Sequence, residues 1–265
     1  MKVALGVAAV ILLTFLAYLP SLPGVFVWDD DVMLTRNPLI RASDGLYRFW
    51  FTTEPPDYFP LTSTTFWLEW RLWGQNPLGY RLFNILLHAV NAVLVWWILR
   101  RLEVPGAFWA GLLFTLHPVN VASVAWITER KNTLSMLFYL LSLLLYLRFE
   151  KNDRRSLYIS SLGLFVLGLL SKTSVVMLPV VLILCAWWQR RRIGLRDLML
   201  SAPFWAASLV LGLVTLWFQT QRAMAGEVPV PASLWTRALG ASRAVWFYLC
   251  KTVVPIKLSM ISHAG

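Results

Sequence analysis

Seven apolar runs, each bounded by short polar or basic stretches, occupy most of this 265-residue chain and leave it few folds. A helix needs about 20 mostly apolar residues to cross the hydrocarbon of a bilayer, and only helices and closed barrels can satisfy their backbone groups there. The runs cover residues 3–19, 82–99, 105–121, 134–147, 157–170, 175–188 and 198–218. The fourth to sixth are short, and flanking aromatic and polar residues extend each into the interface. An eighth stretch, 234–254, is punctuated by Arg237, Arg243 and Lys251 and reads either as a span or as an interfacial helix. Hydrophobic residues make up 58% of the chain against 14% charged, far from a soluble composition. The expected fold is an all-α integral membrane protein, a multispanning helical bundle of seven or eight spans.

A net charge of +11 would suit a nucleic-acid binder, but the basic residues stand in short clusters between apolar runs, where they act as topology signals. Nucleic acid is therefore excluded as a partner, and the bilayer takes its place. With Lys2 inside, the cytoplasmic connections hold Arg100 and Arg101, then Arg148, Lys151, Arg154 and Arg155, then Arg190 to Arg192 and Arg196. The alternate connections hold Arg130 and Lys131, then the single Lys172. The first connection, 21–81, is the longest and faces outward in this arrangement. Its N-terminal span is read as uncleaved, because Leu19-Pro-Ser-Leu-Pro23 offers no small-residue cleavage site. Cys185 and Cys250 lie isolated in apolar stretches and read as small hydrophobes.

Within that connection, Phe26-Val-Trp-Asp-Asp-Asp31 places three adjacent carboxylates near the bilayer surface. Like charges in a row raise at least one pKa, which suits a general base, a metal site or recognition of a polar substrate. Helix-capping aspartates in a solvated loop fit the same residues. The connection is also rich in Trp and Tyr, and Phe66, Trp70 and Trp73 fall at helical spacing, so the pattern predicts a short helix over 62–74. Such aromatics form an interfacial belt or wall a site.

Polar residues inside apolar runs cost free energy unless they find a partner or a cavity. Asn84, His88 and Asn91 share one face of the second run, an arrangement that serves interhelical hydrogen bonding or a polar site. His117-Pro118-Val-Asn120 closes the third run, Glu129-Arg130-Lys131-Asn132 opens the fourth, and Lys172 sits between the fifth and sixth. All are expected on the face that bears Asp29 to Asp31.

These residues in this order, with Asn37-Pro38, Phe59-Pro-Leu, Ser171-Lys172 and Leu178-Pro179, resemble the N-terminal part of bacterial multispanning proteins that carry tetratricopeptide repeats. Those proteins are relatives of transmembrane O-mannosyltransferases with the GT-C fold. The resemblance implies a GT-C-like transmembrane domain over 1–265, with 21–81 as its first extracytoplasmic loop. It implies a glycosyltransferase that moves a hexose from a polyprenyl-phosphate donor to a protein or glycan hydroxyl, at the outer face of a bacterial inner membrane. Asp29 and Asp30 match the family's acidic pair, one acting as base; Asp31 is extra. Arg130, Lys131 and Lys172 are candidates for the leaving phosphate, with His117, Glu129, Asn84 and His88 as further substrate-binding candidates. No cofactor is implied, and adjacent aspartates without further ligands do not indicate a divalent metal.

Two departures open alternatives. A glutamate commonly stands where this chain has Ala122, and family members continue into further spans and repeats, whereas no 34-residue repeat occurs in 1–265. The sequence also accommodates a shortened, non-catalytic homologue or a protein that binds or transports lipid-linked sugar.

Overall fold

The computed structural model describes residues 2–223 and 233–255. The side chain of Lys2 and the stretch 256–265, on which the expectation of a shortened chain rests, lie outside the described residues. Helix α1 (Lys2–Tyr18) leads into a connection built from α2 (Pro38–Arg41), α3 (Gly45–Phe51) and α4 (Pro60–Trp73). Then come α5 (Pro77–Arg101), α6 (Ala107–Leu116), α7 (Val121–Ala125), α8 (Arg130–Asn152), α9 (Arg155–Ser171), α10 (Leu178–Arg190), α11 (Leu195–Phe218) and α12 (Leu234–Val253). No strand occurs among the described residues.

Five helical stretches are long and apolar enough to cross a membrane: Val3–Ser21, Pro77–Arg101, Ile127–Asn152, Thr173–Arg190 and Leu195–Arg222. The run 105–121, expected as one span, is broken: α6 and the segment Pro118–Ala125 meet at 48°. Pro118 is the cause, because a residue before proline is driven out of the helical region, and His117 is extended at φ −69, ψ 125. Counted as one span, the bent pair makes six, and α9 is a shorter apolar helix. Helix α12 spans the ambiguous eighth stretch, with Trp235, Leu239, Trp246 and Leu249 exposed. Large apolar side chains face outward along the bundle, among them Leu12, Leu113, Leu209 and Leu213, as hydrocarbon surroundings allow. The chain is an integral membrane protein.

The main core lies between α5, α8, α9, α10 and α11, where Leu94, Ile98, Leu143, Leu147, Phe165, Leu182 and Phe204 pack together. Small residues set the closest approaches: a Cβ at Gly6 would meet the Trp96 ring at 2.5 Å, and one at Gly111 the Trp96 Cβ at 2.8 Å. Helices α8 and α9 are joined by a reciprocal pair of bonds. Ser142 Oγ donates to Ser161 O at 2.7 Å and Ser161 Oγ to Ser142 O at 2.8 Å, both residues being fully buried.

The connection between α1 and α5 has a core of its own: Leu34, Leu39, Ile40, Phe49, Phe66, Tyr80 and Ile127, flanked by Trp50, Trp67, Trp70 and Trp73. The helix expected over 62–74 is α4, and its aromatics turn inward to this core. Trp67 Nε1 donates to Ala42 O at 3.0 Å, Trp50 Nε1 to Thr64 Oγ1 at 2.9 Å, and the Arg71 guanidinium lies 3.2 Å from the Trp67 ring centroid. Thr62 Oγ1 donates to Ser171 O at 2.9 Å, which fastens α4 to the end of α9 beside Lys172.

Candidate active site

The three adjacent aspartates have three different environments. Trp28 adopts φ 48, a left-handed conformation that costs a non-glycine residue about 1–2 kcal/mol. It directs the chain so that Asp30 turns inward, fully buried, with Oδ2 accepting from Val27 N at 3.0 Å and Oδ1 from Thr128 N at 2.9 Å. Burial raises the Asp30 carboxyl above its ordinary range, opposed by those two backbone donors and by the charge of Arg81. Asp31 stays local: Oδ1 accepts from Thr35 Oγ1 at 2.7 Å, and Arg36 stands 3.6 Å from Oδ2. That leaves Asp29 exposed and, among the described residues, without a side-chain hydrogen bond or ion pair, whereas the partly exposed Asp31 carboxylate is engaged by its neighbours. Trp28 packs edge-on against Trp126 with centroids 5.5 Å apart, so the backbone on both sides of Asp29 is fixed to the 126–128 segment.

A few residues further along, a chain of polar contacts holds two lysines. Lys131 Nζ pairs with Glu129 Oε1 at 3.0 Å. Asn132 Nδ2 donates to Ser123 Oγ at 3.0 Å and to Glu129 Oε2, while Asn132 Oδ1 accepts from Lys172 Nζ at 2.5 Å. Facing both lysines is Asp57, a residue the sequence reading passed over. Its carboxyl is raised by burial, lowered by Lys131 and Lys172, and raised again by Asp29. Burial lowers the Lys172 ammonium, with Glu129 and Asp57 opposing and Lys131 adding to the effect. Asp57 thus links the two lysines electrostatically, and it is also the group through which Asp29 is coupled to them. Asp57 and Lys131 also line a crevice of about 20 Å³, room for about one water.

Arg130, expected among the cations facing the leaving group, lies instead in the interior. It is fully buried and ion-paired with Glu69, with Nε donating to Asn84 Oδ1 at 2.8 Å and Nη2 to Tyr80 O at 2.8 Å. The Phe66 and Phe83 rings each stand 4.8 Å from its guanidinium carbon. Burial pushes the Glu69 carboxyl up while Arg130 holds it down. Asn84 is spent on this network, its Nδ2 donating to Trp126 O at 3.2 Å, and is likewise withdrawn from the site.

His88 Nε2 lies 3.1 Å from Thr115 O, and Asn91 Nδ2 donates to Thr133 O at 2.8 Å. The polar stripe thus makes interhelical contacts along its length. His88 and Asn91 also border a cleft of about 160 Å³ that Asn120, Ser123 and Asn132 complete. Across Asn132 lies a wider cleft of about 290 Å³, lined by Ser135, Met136, Tyr139, Val175 and Met177. His117 caps the turn after α6, its Nδ1 accepting from Val119 N at 3.3 Å. No hydrogen bond or ion pair among the described residues joins His117 to the lysines. Among the described residues no group of three or more His, Cys, Asp or Glu side chains could hold a metal ion.

A family model described as dolichyl-phosphate-mannose-protein mannosyltransferase matches residues 54–217, more than half of the chain. That range takes in Asp57, Glu129, Lys131, Asn132 and Lys172, and starts after Asp29. A protein O-mannosyl-transferase of Caenorhabditis elegans is 33% identical over 151 residues, 51% of this chain and 22% of the relative. The protein O-mannosyl-transferase Tmtc1 of Drosophila melanogaster is 32% identical over 192 residues, 68% of this chain and 22% of the relative. The human protein O-mannosyl-transferase TMTC4 is 30% identical over 187 residues, 60% of this chain and 25% of the relative. The chain thus spans a quarter or less of the length of these curated relatives. No solved structure matches.

Proposed function

The chain belongs to the dolichyl-phosphate-mannose-protein mannosyltransferase family, and from that premise we propose that it transfers a hexose, mannose by the names of its relatives, from a polyprenyl-phosphate donor to a protein hydroxyl. The observation that carries this reading is the half-buried Asp57, which feels the charge of both Lys131 and Lys172 on one hand and of the exposed Asp29 carboxylate on the other. Transfer of this kind needs a base for the incoming hydroxyl and positive charge for the departing phosphate.

In this reading Asp29 takes the acceptor proton as the hydroxyl oxygen attacks the anomeric carbon. The bond from that carbon to the phosphate oxygen breaks, and the lipid phosphate leaves with its electron pair toward Lys131 and Lys172. Displacement from a β-linked donor inverts the configuration. Glu129 and Asn132 act as positioning residues, since each holds a lysine in place. The cleft bordered by His88 and Asn91 suits sugar hydroxyls, and the wider cleft beside Met136, Tyr139 and Met177 suits an isoprenoid chain. The site lies on the extracytoplasmic side, by the distribution of Lys and Arg between connections.

The test is transfer of radiolabelled sugar from a panel of polyprenyl-phosphate donors to endogenous protein, in membranes with and without this chain. Incorporation above background, dependent on Lys172, supports the assignment. Movement of lipid-linked sugar across vesicles without incorporation would replace it with a transport role.

A further inference from the structure

The recess between the ends of α5 and α8, far from Asp29, is lined by Trp97, Arg100, Arg101, Leu144 and Arg148 and has a volume of about 270 Å³. At the rise of an α-helix, the 20 residues from Arg81 to Arg101 cover about 30 Å, the thickness of a bilayer's hydrocarbon core. Arg81 is tied to Gly24, Val25 and Ala125 beside the candidate active site, so the recess lies at the opposite membrane interface.

Three of its five lining residues are arginines, and among the described residues none of the three pairs with a carboxylate. Arg101 Nη2 reaches only Leu147 O, at 3.5 Å. Two other arginines at this end are neutralised, Arg190 by Glu150 and Asp197 and Arg196 by Asp153, whereas Arg154 and Arg155 are exposed and outside the recess. Three arginines that line one recess with no acid among its lining residues leave room for an anion there. Planar forks suit phosphate in particular. The remaining walls are apolar: Leu144 is buried in the bundle core, and Trp97 is half exposed on the outer surface of α5. A topology signal needs only positive charge somewhere in a connection; it does not require three arginines from two helices around one recess with an indole wall.

We infer that this recess is a binding site for the phosphodiester of an anionic membrane phospholipid, with Arg100, Arg101 and Arg148 on the phosphate and the exposed Trp97 against the first part of the acyl chains. The inference is independent of the proposed sugar transfer.

Native mass spectrometry of the detergent-solubilised protein with dioleoylphosphatidylglycerol or dioleoylphosphatidylcholine tests it. The expected result is retention of phosphatidylglycerol about tenfold more strongly than phosphatidylcholine. Arg100→Gln with Arg148→Gln should abolish that preference, whereas Arg154→Gln with Arg155→Gln should keep it, the latter pair being exposed, at the same end and outside the recess. Equal retention of the two lipids by the unaltered protein would overturn the site with no variant needed. Equal losses in the two double variants would reduce the effect to net charge. Inorganic phosphate that competes as well as the phospholipid would assign the arginines to a soluble anion instead.

Discussion

Asp30 Oδ1 accepts the backbone N–H of Thr128 at 2.9 Å, a bond that joins positions 98 residues apart. It fastens the start of the first connection to the segment leading into α8, and it separates two neighbouring carboxylates by role. Asp30→Asn keeps one acceptor oxygen but turns an amide NH₂ toward one of its two backbone donors. The expected cost is about 1–3 kcal/mol of stability, read as a lower melting temperature in detergent. Any activity should fall only with the folded fraction.

Lys172 supplies a pH dependence with two opposite signs. Its folded pKa lies below the ordinary lysine value of 10.5 because burial penalises the charge. Between that lowered value and 10.5 the unfolded chain keeps the proton that the folded chain has released, so this group's contribution to stability rises with pH across the window. Transfer, which needs the ammonium, falls through the same lowered pKa. Lys172→Arg retains the charge and should move the alkaline limb of the kcat profile upward. An unchanged limb would remove Lys172 from contact with the leaving phosphate.

Glu69 and Arg130 form a buried ion pair, and removing one partner strands the other charge. Glu69→Gln or Arg130→Met should each cost about 3–5 kcal/mol, while Glu69→Leu combined with Arg130→Met should cost less than either single change. Chemical or thermal unfolding of the variants in detergent checks the order. A double variant that is the least stable would mean the pair is not isolated from its surroundings.

The reciprocal bonds between Ser142 and Ser161 make a separate claim about the fold. Ser161→Ala should cost about 0.6–2 kcal/mol. Ser142→Leu should cost more, because a branched side chain has no room at a fully buried contact. Melting temperatures of the two variants decide this.

The helical class and α4 were legible because apolar length and i, i+3 spacing are local properties. The bend at His117 was legible in principle, since a proline follows it directly. Other features depend on distant partners. Arg130 stands in a motif beside Lys131 and looks like a site cation, yet its neutralising group is Glu69, 61 positions earlier and brought near only by packing of α4 on α8. Asp29, Asp30 and Asp31 are chemically identical in sequence, and the positive φ at Trp28, which sorts them into exposed, buried and local roles, leaves no trace in composition. Asp57 carried one faint signal, an acid just before Tyr58-Phe59-Pro60, and its importance comes from two lysines 74 and 115 positions later.

The central claim is that Asp29, and not Asp30, serves as the base. Membranes carrying equal amounts of folded Asp29→Asn and Asp30→Asn protein, assayed for sugar transfer from a polyprenyl-phosphate donor, test it most directly. The expected result is a loss of about 10²–10⁴-fold for Asp29→Asn, with Asp30→Asn retaining activity per folded molecule. Full activity in Asp29→Asn, or a catalytic loss confined to Asp30→Asn, would contradict the account.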